Sequence, residues 1–107
     1  MNTVHSSLAG GRWQTFSLME QLGNIGSEVR RALQWRGKDN ALYQNAVYRA
    51  FELLDLTIDD ARWRARLKEI VRAREVFADA VSGGQIHQST LEDLDNYFLA
   101  FALAARR

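Results

Sequence analysis

Apolar residues recur in this sequence at alternating intervals of three and four positions, and this spacing constrains the fold more than any other feature. In the first such segment the apolar positions are Leu18, Leu22, Ile25, Val29 and Leu33. The spacing places these side chains on one face of an α-helix, which has 3.6 residues per turn. Similar spacing returns in three later segments, and the chain contains no proline to interrupt them. The sequence therefore predicts an all-α fold with four amphipathic helices.

Capping and turn residues indicate where the four helices begin and end. We predict helices over residues 17–36, 40–58, 59–81 and 89–105. Gly37 ends the first of them, and Asp39 or Asn40 caps the second. The Ser-x-x-Glu pattern from Ser89 to Glu92 has the form of a capping box and opens the fourth helix.

Short connections between the helices predict how they are arranged. Helices joined by a few residues pack as antiparallel neighbours. We therefore predict an up-down-up-down antiparallel four-helix bundle over residues 15–107. The preceding residues 1–14 are rich in Gly, Ser, Thr and Asn and are predicted to form a flexible N-terminal arm.

The composition agrees with a small globular protein and excludes several other classes. Apolar residues make up 47% of the chain and charged residues 25%, as is usual in a globular domain. The absence of cysteine excludes a disulfide framework and a thiolate metal site. No apolar run reaches membrane-spanning length, and residues 1–14 lack the apolar core of a signal peptide. We therefore expect a cytoplasmic protein without a membrane partner.

The sequence contains no recognisable catalytic or metal-binding motif. A di-iron bundle uses Glu-x-x-His pairs, but neither His5 nor His87 follows a glutamate by three positions. The Arg-x4-6-His pattern of helical RNA-cleaving proteins is absent, as are the Gly-rich phosphate loops and the Gly-x-Ser-x-Gly motif. We therefore predict a non-enzymatic protein with no catalytic residue, no metal, no cofactor and no small-molecule substrate.

A basic segment in the third helix is the best candidate for binding a ligand. A helix places these cations on a broad arc opposite the apolar face, and such an arc can bind phosphates. The candidate nucleic-acid-binding residues are Arg62, Arg64, Arg66, Lys68 and Arg72. Glu69, Glu75 and Asp79 add negative charge on the same side, so a solvated face is the preferred interpretation.

Arg74 is unusual because the helical wheel places it in the middle of the apolar face. A buried cation must be paired, since an uncompensated buried charge is strongly destabilising. We therefore predict that Arg74 forms a buried ion pair with Glu52, Asp55 or Glu28. The alternative is an arginine that points into a central opening of an oligomer.

Two glycines inside the first helix predict a close contact with another helix. Glycine costs up to about 1 kcal/mol relative to alanine in a helix, so a compensating interaction is expected at Gly23 and Gly26. We predict that another helix approaches the surface formed by Gly23, Gly26 and Ser27. A nucleic-acid clamp of the Gly-x-x-Gly type is the less favoured alternative, because such clamps lie in loops.

Two helices carry more apolar surface than a monomeric bundle needs. The second helix has apolar residues on two flanks, and every residue from Tyr97 to Ala105 is apolar. An exposed patch made from both would be larger than monomers usually tolerate. We therefore predict a homo-oligomer with closed symmetry. The predicted interface residues are Leu42, Ala46, Leu53, Leu56, Leu99 and Leu103.

Three segments carry a resemblance to known proteins. Residues 24–29 (NIGSEV), 53–58 (LLDLTI) and 66–76 (RLKEIVRAREV) resemble a small prokaryotic family of uncharacterised four-helix-bundle proteins. In size and helical layout the chain is also distantly similar to the proteins encoded by ribosomal-RNA intervening sequences and to the accessory proteins of diversity-generating retroelements. The resemblance implies ring-shaped homo-oligomers, pentamers among them, with RNA or reverse-transcriptase partners. The retroelement proteins are strongly basic, whereas this chain has a net charge of +1.

Two functions follow from these observations. The first is a non-enzymatic, self-associating helical adaptor in an RNA–protein or reverse-transcriptase assembly. The alternative is a protein that binds nucleic acid directly through the basic face of the third helix. The two are separable by experiment, because binding to phosphates weakens as salt increases.

Overall fold

The computed structural model of the protein describes residues 11–106, and no β-strand occurs in that range. The four α-helices are α1 (Leu18–Trp35), α2 (Asn40–Ile58), α3 (Leu67–Val81) and α4 (Leu91–Ala105). Two short 3-10 helices, Trp13–Thr15 and Ala61–Arg66, precede α1 and α3. The prediction of an all-α, four-helix fold is confirmed, and the packing of the helices fits a bundle.

Side chains cap the helices at their N-termini. Asp39 accepts a hydrogen bond from the Leu42 N–H at 3.0 Å, which confirms it as the cap of α2. The capping box of α4 is formed by Thr90 and Asp93, so the predicted box at Ser89 is wrong by one residue. Thr90 has the extended backbone that an N-cap requires, and its hydroxyl accepts from the Asp93 N–H at 3.1 Å.

Helix α1 is the central element of the core, because it packs along both α2 and α4. The contacts of α3 with α2 and with α4 are less extensive. The largest fully buried apolar side chains are Trp13, Phe77, Phe98, Ile25, Leu54 and Leu91. Within residues 11–106, every helix is too short or too polar to cross a membrane.

The backbones of α1 and α4 touch at the two helical glycines, as predicted. A Cβ atom added at Gly26 would lie 2.6 Å from the Cβ of Phe98. A Cβ atom at Gly23 would lie 3.0 Å from the Cα of Ala102. Real side-chain atoms do not approach as closely as 2.6 Å, so only glycine fits at residue 26 without a shift of α4. The close packing of α4 compensates for the low helix propensity of both glycines.

Trp13 extends the packed domain into the predicted arm. Residues 1–10 lie outside the described residues, but Trp13 is 0% exposed, and its indole N–H donates to the Thr57 hydroxyl at 3.2 Å. Trp13 thus packs with the helical domain, two residues before the boundary predicted at residue 15. A single tryptophan among small and polar residues has no periodicity from which its burial could be predicted.

The third helix begins later than predicted. Asp60 caps a 3-10 helix in which Trp63 has φ −103° and ψ 20°, values outside the α-helical range. Regular α-helix starts only at Leu67. The residues before and after this break therefore do not share one helical wheel.

The contact between α1 and α4 predicts that Gly26→Ala destabilises the protein. The added methyl group raises helix propensity by about 1 kcal/mol, but overpacking of a close contact typically costs about 1–3 kcal/mol. We expect a lower midpoint of urea unfolding. Asn24→Ala is the matched control, because it also gains helix propensity but lies at an exposed position and loses only a local hydrogen bond to the Glu20 carbonyl; its midpoint should stay the same or rise slightly. A more stable Gly26→Ala variant would contradict the close contact.

Candidate interaction surfaces

Arg62, the first residue of the predicted basic site, is bonded within the chain. Its guanidinium Nη2 lies 2.7 Å from Oδ2 of the buried Asp60 and donates to the Phe16 carbonyl at 2.8 Å. Its Cζ also lies 4.4 Å from the centre of the Trp63 ring. These contacts hold Arg62 against the domain, so it is less free to bind a phosphate than the sequence suggested.

The carboxylate of Asp60 belongs to a buried polar cluster around Gln21. The Gln21 amide nitrogen donates to the Trp13 carbonyl at 2.9 Å and to Asp60 Oδ2 at 3.2 Å. The Gln21 amide oxygen accepts from the Trp63 indole N–H at 2.9 Å. Gln21 is 0% exposed, and these bonds satisfy both ends of an amide that would otherwise be costly to bury.

Hydrogen bonds from Arg62 lower the pKa of Asp60 to about 2, although burial acts in the opposite direction. An aspartate whose pKa is lower in the folded state contributes stability above its unfolded pKa of about 3.9. That contribution is lost as the pH falls toward 2, because the unfolded chain then binds the proton more readily. The cluster therefore stabilises the fold at neutral pH and weakens in acid.

Arg66 is also paired, whereas three cations of the basic segment are free. Arg66 Nη2 lies 2.9 Å from Glu69 Oε2. The hydrogen bond between them raises the pKa of Arg66 and lowers that of Glu69. Among the ion pairs of the described residues, none involves Arg64, Lys68 or Arg72. The structure therefore leaves three of the five predicted cations without a carboxylate partner.

The ion pair of Arg74 exists but is not buried, so that part of the prediction is wrong. Arg74 Nε lies 2.7 Å from Asp55 Oδ1, and the two side chains are 38% and 55% exposed. The Arg74 guanidinium also lies over the ring of Phe51, at 4.9 Å from its centre. The buried face of α3 is formed by Ile70, Ala73 and Phe77, and Arg74 lies at the edge of that face.

The predicted oligomer interface does not form one patch. Ala46 and Leu53 are buried inside the domain, because the second apolar flank of α2 has its partners within the chain. Leu42 is exposed on α2, and Leu56 is half-buried. The other two predicted residues, Leu99 and Leu103, are exposed on α4. Since α2 and α4 pack along α1 rather than along each other, the interface residues predicted on α2 and those predicted on α4 lie on separate surfaces.

Sequence reasoning missed an apolar groove between α3 and α4. The groove has a volume of about 400 Å³. Ala73, Val76 and Leu94 supply apolar lining, and Glu69 and Asp93 supply carboxylates. Because α3 and α4 share few contacts, the space between them remains open. The small side chain of Ala73 on the buried face of α3 is the one sequence signal for it.

The loop between α3 and α4 is held by the carboxylate of Asp79. Asp79 accepts hydrogen bonds from the backbone N–H groups of Ile86 and His87, each at 2.9 Å. These bonds lower the pKa of Asp79 despite its burial. The loop presents Ile86 to solvent at 82% exposure. Sequence analysis assigned Asp79 to the solvated basic face, whereas its carboxylate orders this loop.

The Asp60 cluster predicts a change in acid stability. Asp60→Asn removes the carboxylate that Arg62 binds and is expected to lower the free energy of unfolding at pH 6 by about 1–2 kcal/mol. The loss is limited to this size because Arg62 is partly solvated. The difference from the unmodified protein should shrink as the pH falls from 4 to 2. Urea unfolding across this pH range measures it. The exposed neighbour Asp59 supplies the control Asp59→Asn, and an equal effect of both substitutions would contradict the role of Asp60.

Among residues 11–106, no group of three or more His, Cys, Asp or Glu side chains is placed to hold a metal ion. The comparisons with known proteins add no relative: no family model, no curated protein and no solved structure matches the chain.

Proposed function

We propose that this chain is a non-enzymatic helical adaptor that associates with itself. The observation that carries the proposal is the apolar outer surface of α4. Leu99 and Leu103, one helical turn apart, are 40% and 50% exposed, and Tyr97 is exposed beside the groove between α3 and α4. Between Asp95 and Arg106 the helix has no charged residue. From Tyr97 to Ala105 the residues of α4 that face solvent are therefore all apolar.

Burying such a surface between copies is energetically favourable. Removal of apolar surface from water contributes roughly 25 cal/mol per Å², and contiguous exposed apolar patches in proteins commonly mark sites of association. The buried side of α4 is already occupied, since Leu91, Leu94 and Phe98 pack into the core. The outer leucines are thus left for a partner. An RNA–protein or reverse-transcriptase assembly is the setting suggested by the sequence resemblance.

The proposed module is an up-down-up-down antiparallel bundle. Its support is the short connection from Trp35 to Asn40 and the nine-residue connection after Val81, since short connections favour antiparallel neighbours. The packing of α1 along both α2 and α4 is the arrangement expected when the first helix lies between its two neighbours in the bundle.

Self-association predicts a concentration-dependent mass in solution. Sedimentation velocity at micromolar concentrations should show a dimer or larger closed oligomer, and dilution should shift the distribution toward monomer by mass action. Thermal stability should rise with protein concentration for the same reason. A monomer throughout the micromolar range would contradict the proposed function.

A second function, direct binding of nucleic acid, is favoured by the three free cations. Lys68 and Arg72 lie one turn apart on the exposed side of α3, and Arg64 precedes them in the 3-10 helix. Free guanidinium and ammonium groups can bind successive phosphates without sequence preference. Glu75, on the next turn, limits the length of this surface.

This second function predicts that Lys68→Glu with Arg72→Glu weakens the binding of single-stranded RNA. Loss of two phosphate contacts should reduce the slope of log affinity against log salt by roughly 1.4, since each contact contributes about 0.7 on a single strand. Fluorescence anisotropy of a labelled oligonucleotide at several salt concentrations measures the slope. Arg12→Glu with Lys38→Glu is the control, because it makes the same change in charge at exposed positions outside α3. If both pairs of substitutions reduce the slope equally, α3 is not the binding surface.

A further inference from the structure

We propose that two copies of the chain pair through α4, with the two α4 helices antiparallel about a two-fold axis beside Leu99. This inference rests on the proposed self-association and specifies its surface and symmetry. The partner is a second copy of this chain. The argument comes from the spacing, exposure and charge of the residues on the outer side of α4.

Four exposed residues of α4 and the exposed C-cap Arg106 follow the spacing of a two-helix interface. They recur at intervals of four, three, four and three residues, the repeat that keeps side chains along one seam between two packed helices. The residues of this stripe are Glu92, Asn96, Leu99, Leu103 and Arg106, and each of them is exposed. The stripe thus has an acidic end, an apolar centre and a basic end.

The charges of this stripe favour an antiparallel partner. In an antiparallel pair centred beside Leu99, Arg106 of each copy lies at the level of Glu92 of the other. A parallel pair would instead place Glu92 next to Glu92 and Arg106 next to Arg106, and like charges across an interface are unfavourable. Glu92 already accepts a bond from Arg36 through Oε1 at 2.7 Å. Its side chain is 52% exposed, so it can accept a second donor.

The centre of the stripe can pack against the same residues of a second copy. With the axis beside Leu99, the two Leu99 side chains meet, and each Leu103 lies within one residue of the level of Asn96 in the other copy. A polar residue such as Asn96 beside the two leucines at the centre of the seam favours a single register. The resulting interface is isologous, meaning that the same surface is used by both copies, and it closes at two chains.

Elsewhere in residues 11–106 the exposed apolar residues are isolated or lie among charges, as Leu67 does on α3 beside Lys68, Arg72 and Glu75. Leu42 and Tyr48 are exposed on α2, but six positions separate them, so they point in different directions around the helix. Ile86 is a single apolar residue between Gln85 and His87. The groove between α3 and α4 carries the carboxylates of Glu69 and Asp93, which two copies of the same groove would bring together.

Cysteine cross-linking tests the axis and the direction of the pair. The sequence contains no cysteine, so Leu99→Cys introduces the only thiol. Oxidation should give a covalent dimer, because residues beside the axis are within the roughly 7 Å between Cα atoms that a disulfide can span. Arg106→Cys should not cross-link, since two copies of a residue seven positions from the axis are about 20 Å apart along the helices. Leu42→Cys is the control for random collision.

The outcomes separate this inference from the proposed function. Cross-linking through Leu99→Cys but not through Arg106→Cys or Leu42→Cys supports the antiparallel pair. Efficient cross-linking through Arg106→Cys, or none through Leu99→Cys in a protein that sediments as an oligomer, overturns it and leaves self-association intact. Sedimentation of the unmodified protein as a monomer overturns both.

Substitution of the two leucines supplies a second measurement. Leu99→Gln with Leu103→Gln should weaken the dimer by more than roughly tenfold in dissociation constant, because the apolar centre of the seam is lost. The helical circular dichroism spectrum verifies that the variant is folded. Leu42→Gln with Tyr48→Gln removes exposed apolar side chains from α2 and should leave the dissociation constant unchanged. An unchanged dissociation constant for the α4 variant, or an equal loss of affinity in the α2 and α4 variants, overturns the assignment of the interface to α4.

Discussion

The buried amide of Gln21 is the constraint on which much of this structure depends. An amide in the core requires partners for both its donor and its acceptor, and here they come from the Trp13 backbone, Asp60 and the Trp63 indole. These partners belong to the segment before α1 and to the junction between α2 and α3. The junction is consequently a 3-10 helix with a break at Trp63 rather than the first turn of α3. The orientation of α3 about its own axis follows from this junction, and that orientation decides which cations of α3 reach solvent.

Much of the fold could be predicted from sequence, because its signals are local. The apolar spacing predicts each helix, Asp39 caps α2 as expected, and Gly23 with Gly26 predicts a close helix contact. The α3 surface could not be predicted to the same degree. A helical wheel assumes one continuous helix, whereas the break at Trp63 places Leu67 partly in solvent and Arg74 at the edge of the buried face. Which arginines are paired depends on Asp60, which lies before the break, and on Glu69 in the first turn of α3.

The surface of α2 illustrates a different limit of sequence reasoning. Its two apolar flanks predict two contacts but do not say whether the second contact is with another helix of the chain or with another copy. Packing against α1 and α3 places Ala46 and Leu53 in the core. On α4 one apolar flank stays exposed instead: Phe98 packs against α1 at Gly26, whereas Leu99 and Leu103 reach solvent. Which apolar flank is exposed is therefore decided by the packing of whole helices, which a single helical pattern does not contain.

The contact between Gly26 and Phe98 also has a consequence for how the chain folds. These residues are 72 positions apart in sequence, so their meeting closes a loop that contains all of α2 and α3. The entropy lost on closing a loop increases only slowly with its length, but contacts between distant residues slow the search for the native state. During synthesis, which proceeds from the N-terminus, α1 and α2 emerge while α4 is still missing. The glycine surface of α1 therefore stays open until the last helix of the bundle has been made.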